Sequence, residues 1–169
     1  MTAALQPMTY QPPLATIVEP VLASVAEVTV KTRFGVVTAP ADAVVEMPQG
    51  PLGFAQHRRF IVTDLPNPRL SQFKLLQSLG DAEVSFVVTE MSEGGLLAPE
   101  DLAEARTLAG IDSPDAAVLL IVTVRQVPNG SVALSVNLRA PMILDVAQRK
   151  ARQVVLSNPI YSVRHPIEL

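Results

Sequence analysis

The sequence has no cysteine and no tryptophan among its 169 residues, and only two tyrosines and five phenylalanines. The missing cysteine excludes disulfide scaffolds, thiolate zinc sites and cysteine nucleophiles, and it agrees with a reducing compartment, the cytoplasm by default. So few rings leave no aromatic platform, interleaved with cations, on which single-stranded RNA would stack. Charge is scarce as well. Only 17% of residues are charged, where about a quarter is usual, and the net charge of −3 supplies no basic field for nucleic acid or an anionic membrane. Long hydrophobic runs are also missing: Ala116–Val124 reaches roughly half of the ~20 residues that a membrane-spanning helix needs, and its β-branched content marks a buried strand. Residues 1–27 carry no Lys or Arg, so the basic start of a secretory signal is absent.

What is present points to short strands. Hydrophobic residues make up 49% of the chain, which with so little charge implies a surface unusually poor in charge or partly apolar and favours a protein with a partner. Fifteen prolines and eight glycines divide the sequence into short pieces that suit strands joined by turns better than a helical bundle. Residues 1–27, with Pro7, Pro12, Pro13 and Pro20, read as a disordered extension, and residues 28–169 as one domain. Deleting residues 1–25 is therefore expected to leave the melting temperature nearly unchanged. A loss of several degrees in a thermal melt would show that the segment packs into the fold.

Alternation begins at residue 28, with Val28, Val30 and Thr32 on one face and Thr29, Lys31 and Arg33 on the other. Gly35 and the Thr38-Ala39-Pro40 step read as interruptions, and Val44 to Met47 restarts the pattern before the turn-rich Pro48–Gly53. Further strands are expected at Phe60–Thr63, Phe73–Leu79, Val84–Thr89, Ala117–Val127, Val132–Leu138, Met142–Val146, Gln153–Leu156 and Ile160–Val163, with a basic loop Gln148–Arg152. Asn129-Gly130 between two β-rich runs signals a hairpin. One helix is expected at about 99–109. Pro99 suits its first position, Glu100 and Asp101 complement the N-terminal dipole, Gly110 supplies a left-handed cap, and Leu102, Ala105, Leu108 and Ala109 share a face. The predicted class is mainly β: a small closed or partly open antiparallel β-barrel with one short helix.

A search for chemistry is mostly negative. His57 and His165 lack a neighbouring acidic or serine motif, and no G-x-S-x-G elbow is present. Two histidines without cysteine or an H-E-x-x-H helix give no metal site at recognised spacing, and Gly94-Gly95 lacks the rest of a phosphate loop, so neither metal nor cofactor is expected. Between residues 81 and 115 nine acidic groups face the single Arg106, a density that fits a solvated or partner-facing surface better than an acid/base pair. Gly50 and Gly53 read first as turn glycines and Phe54 as a core anchor. Gln77 and Ser78, inside an apolar strand, either close a backbone gap or present an interaction edge, and Asn137 reads as a cross-brace. Pro141 denies a ladder donor and so marks a strand end or an edge, which would be a docking rail.

Three stretches together resemble a known family. Val45-Glu46-Met47-Pro48-Gln49-Gly50-Pro51-Leu52-Gly53-Phe54 comes first, then Leu76–Leu79 followed by Phe86-Val87-Val88, then Val136–Ile143 with Arg152-Gln153-Val154-Val155-Leu156. In order and spacing they are similar to the flagellar assembly factors of the FliW family, from about Lys31 to Pro166. Met47 stands where that family usually has Phe, and Ala151 where Gly is common. The resemblance implies a cytoplasmic β-barrel-like protein, not an enzyme, that binds flagellin and, once flagellin is exported, binds and antagonises the translational repressor CsrA. It would be monomeric when free and bind neither nucleic acid nor membrane directly. Candidate partner-binding residues are Gly50, Phe54, Gln77, Ser78, Asn137, Pro141 and Gln153, with Glu93, Glu100 and Glu104 from the acidic region. The readings weighed against this are a β-barrel nucleic-acid-binding module and an enzyme with an unrecognised site.

Overall fold

The computed structural model describes residues 26–92, 95–128 and 130–168; the expected extension 1–27 lies almost wholly outside them. The described residues form a mainly β fold with one α-helix. A first hairpin, β1 (Glu27–Thr32) and β2 (Gly35–Pro40), stands as its own two-stranded sheet. Its inward side chains Val28, Val30, Val37 and Ala39 pack on Ile61, with Val44 and Leu79 beside them. Here the sequence reading is corrected. Gly35 turns the hairpin at φ +119° instead of ending the pattern, and Pro40 closes β2 opposite Glu27, at the ladder's end, where its missing N–H costs least.

The main sheet is a meander of β3 (Val44–Glu46), β4 (Arg59–Asp64), β5 (Phe73–Ser78), β6 (Ser85–Glu90) and β7 (Ala116–Gln126), each antiparallel to the next. β8 (Val132–Val136) returns along the far half of β7, as the expected hairpin requires. β9 (Met142–Asp145) then pairs with the near half of β7 and with β10 (Lys150–Gln153). A single parallel bridge, Lys150 to Glu46, joins β10 to β3 and partly closes a ring of seven strands. The other ladders are antiparallel.

Every strand of that ring contributes to one interior cluster: Val45, Phe60, Leu76, Val88, Leu119, Met142 and Leu144, and Ala151, with Met47 just past β3. The opposite face of β7, Val118, Leu120 and Val122, packs with Ala105 and Ala109 of helix α1 (Pro99–Ala109) and with Leu138, Val154 and Leu156. β7 is thus buried on both sides, which is why its sequence is a continuous apolar run and not an alternation. Alanines at the buried positions of α1 let the helix sit close to the sheet. Leu108, expected on that face, is 42% exposed, whereas Asp101 is buried.

Two expected strands are displaced. The chain pairs as β10 over Lys150–Gln153, inside the expected basic loop, and leaves the strand where Gln153–Leu156 was expected; Val154 and Leu156 still donate backbone hydrogen bonds to Pro141 and Arg139. Ile160–Val163 is not a strand, and the C-terminal strand is instead β11 (His165–Ile167), paired with β8.

Candidate interaction site

Between the pairs Val122–Val136 and Leu119–Met142, three steps along β7 face six on its partner, so the chain from β8 to β9 bulges out at residues 137–141. Asn137 makes this corner. Its N–H donates to Ile121 O at 3.0 Å, and its side-chain oxygen accepts from Ala140 N at 3.0 Å. It braces a bulge, not the barrel interior. Pro141 follows immediately and accepts from Val154 N, which makes it a strand end. It is not an edge, because β9 has β10 on one side and β7 on the other.

Residues 47–57 form a chain of turns. Gly50 N donates to Met47 O, Phe54 N to Pro51 O and His57 N to Phe54 O. Gln153 of β10 ties this loop to the corner: its Oε1 accepts from Leu52 N and its Nε2 donates to Ala140 O, both at 3.0 Å. The two most distinctive sequence elements, 50–54 and 137–141, therefore meet through one buried amide. Replacing Gln153 with Ala leaves Leu52 N–H and Ala140 C=O without their partner, and should lower stability by about 2 kcal/mol in urea unfolding.

Phe54 lies edge-on to Phe86 at 5.1 Å and 6.2 Å from the His57 ring. His57 Nδ1 is 3.1 Å from Ser78 Oγ, a juxtaposition of residues 21 apart that sequence proximity could not reveal. Ser78 is buried and also takes the Gly80 N–H at 3.2 Å, so the pair braces the turn after β5. Beside it, Gln77 is fully buried and its Nε2 donates to Asp81 O at 3.0 Å, Ser78 O at 3.1 Å and Val84 O at 3.2 Å. Gly50, Phe54, Gln77, Ser78, Asn137, Pro141 and Gln153 therefore form one linked set.

The acidic candidates lie elsewhere. Glu93 falls outside the described residues. Glu100 is exposed in the first turn of α1, and Glu104 Oε1 accepts from Ser157 N at 3.3 Å. The sequence reading missed Asp101, whose Oδ2 accepts from Tyr161 OH at 2.7 Å and from Asn158 Nδ2 at 3.1 Å. The Tyr161 oxygen in turn accepts from Ala98 N at 2.9 Å, satisfying the residue that precedes α1. That N–H favours the phenolate, but the hydrogen bond to Asp101, burial and the charges of Asp101 and Glu100 outweigh it and raise the Tyr161 pKa above its ordinary value. The raised value means that Tyr161 stabilises the fold below about pH 10 and that this contribution is lost as pH rises through the alkaline range. Tyr161→Phe should cost about 1–2 kcal/mol at neutral pH. Its stability gap to the native chain should narrow above pH 10, read by urea unfolding at both pH values.

Among the described residues no group of three or more His, Asp or Glu is placed to hold a metal ion, and no helix is long and apolar enough to cross a membrane. The arrangement is that of a partly closed strand ring with a braced loop-and-corner on one part of its surface and carboxylates on another. A family model described as FliW protein matches residues 28–167. The chain is 34% identical over 140 residues to the flagellar assembly factor FliW of Syntrophus aciditrophicus (strain SB), covering 80% of this chain and 84% of that one. It is 34% identical over 137 residues to the flagellar assembly factor FliW of Geotalea uraniireducens (strain Rf4), covering 80% of each. A crystal structure of the flagellar assembly factor FliW matches with a TM-score of 0.61 at 24% identity, over 82% of this chain and 95% of that one, a likeness of fold. The chain belongs to the FliW family.

Proposed function

We propose that the protein is a non-enzymatic flagellar assembly factor that binds flagellin in the cytoplasm and, when flagellin has left, binds and antagonises the translational repressor CsrA. Flagellin translation would then follow flagellin export. The observation that carries this reading is family membership over residues 28–167, which spans the whole strand ring and both of its distinctive elements. The braced set offers flagellin a surface at the half-buried Phe54 and Asn137, with exposed Leu52 at its tip; Gly50, Pro141 and Gln153, which are buried, act on it by holding the loop and the corner together, and Gln77 and Ser78 through the turn they brace. The acidic side chains suit the repressor, because a protein that binds RNA carries a basic surface.

The free protein is taken as a monomer with residues 28–169 as its working domain. A pull-down from lysate with the tagged protein, read by mass spectrometry, tests the reading. Flagellin and a CsrA-type repressor are expected among the bound chains, and purified flagellin should displace the repressor. Recovery of neither chain overturns it.

A further inference from the structure

Three methionines fall among the described residues, and the fold treats them differently. Met47 and Met142 are fully buried in the interior of the strand ring. Met91 is half-buried and lines the largest surface concavity, about 1080 Å³, where the β6–β7 ladder ends against the start of α1 and the segment 158–161. Its N–H donates to Val118 O at 2.8 Å, which fixes the backbone just past β6. Its side chain packs inward on the cluster that holds Leu97, Ala105 and Val118, and sideways on the bare α-carbon of Gly95. A Cβ at Gly95 would stand 2.6 Å from Met91 Cγ and 3.1 Å from Met91 Sδ. The thioether therefore occupies room that any other residue at position 95 would need, and it does so in the wall of an open concavity.

We infer that Met91 is a reversible oxidation site, at which a hydroperoxide converts the thioether to the sulfoxide and thereby loosens the lead into α1. The sulfur gives a lone pair to one peroxide oxygen, the O–O bond breaks, and with hydrogen peroxide the second oxygen leaves as water after proton transfer. Sulfur is oxidised by two electrons and the peroxide is reduced by two. The reaction requires a small polar oxidant to reach the sulfur, which the concavity permits at Met91 and full burial denies at Met47 and Met142. The product is polar and larger, on a side chain that packs against apolar groups and has no slack beside Gly95. Relief comes from moving the segment 95–98, which carries the buried Leu97 and enters α1. Oxidation at this position stands apart from the function proposed above.

The test treats the folded full chain with hydrogen peroxide and follows each methionine by mass spectrometry of tryptic peptides, in which Met47, Met91 and Met142 fall in three different ones. Met91 is expected to gain one oxygen about tenfold or more faster than Met47 and Met142. In urea that unfolds the chain the three rates should converge, which assigns the difference to the fold. The Ala98 amide, held by the Tyr161 oxygen at 2.9 Å, should exchange its hydrogen faster in the oxidised chain. Methionine sulfoxide reductases of both stereospecificities should restore the slow exchange. Met91→Leu should show no such change after the same exposure. Equal rates for the three methionines in the folded chain, or a gap that persists in urea, overturns the site. Exchange at Ala98 that oxidation leaves unchanged, or quickens equally in Met91→Leu, overturns its coupling to α1, and a change that the reductases leave in place overturns its reversibility. The rates are compared within the native chain, so they decide the matter even where Met91→Leu fails to fold.

Discussion

Gly50→Ala should unfold the protein more readily than any other glycine substitution in its turns, with a loss of about 3 kcal/mol or more. Gly50 has φ +63°, a conformation that costs a side-chain-bearing residue about 1 kcal/mol by itself. The added Cβ would stand 2.4 Å from Phe54 O, 2.8 Å from Ala55 Cα and 2.9 Å from His57 O. All three are backbone atoms of the same chain of turns, so relief requires moving the loop that Gln153 holds at Leu52. Gly53 is the internal control. It has φ +83° but no atom within 4 Å of the place its Cβ would take, so Gly53→Ala carries the conformational cost alone, about 1 kcal/mol. Urea unfolding of the two variants separates the terms. Equal losses would show that the overlap at Gly50 is relaxed at no cost, and that the loop is softer than its hydrogen bonds imply.

The same loop shows what a sequence discloses about this fold. Pro48–Gly53 is legible as turns because glycine and proline act locally, through their own φ. Strands were legible where a face is buried in large side chains: β4, β5 and β6 alternate or run apolar, and the unbroken Ala116–Val124 stretch matches a strand covered on both sides. β10 was not. Its inward positions carry Ala151 and Gln153, a small residue and an amide, so the alternation that places it at the ring's seam has no hydrophobic signature, and Lys150 and Arg152 make it resemble a loop. Ile160–Val163 erred the other way, apolar in sequence but left largely at the surface.

The site residues divide by the range of their contacts. Asn137 reads as a cross-brace of the barrel, but its side-chain partner, Ala140, is only three residues on, so it braces the local bulge instead. Gln153 reaches Leu52, 101 residues away, and Asp101 reaches Tyr161, 60 residues away; no local pattern carries either. Asp101 reads as one more carboxylate of an acidic stretch beside Glu100 and Glu104, yet it is the buried one, held by the side chains of Asn158 and Tyr161.

Gln77→Glu should be the most damaging exchange of nearly equal volume, costing about 3–5 kcal/mol at neutral pH. The native amide nitrogen sits among backbone oxygens of Ser78, Asp81 and Val84 in a fully buried position, and an ionised carboxylate there offers acceptors where donors are needed. Burial and those oxygens must hold the new carboxyl above its ordinary pKa near 4.3, since only the protonated form can donate. A raised folded value means that the variant is steadiest at low pH and loses stability as pH rises through the folded pKa. It should therefore lie closer to the native chain at pH 5 than at pH 7.5 in urea unfolding. Flagellin binding gives the functional readout. With no part of its side chain exposed, Gln77 has nothing to offer a partner directly, so binding per folded molecule should equal that of the native chain while the total declines with the folded fraction. Binding lost from protein that circular dichroism shows to be folded would place Gln77, or the turn it holds, at the flagellin contact itself.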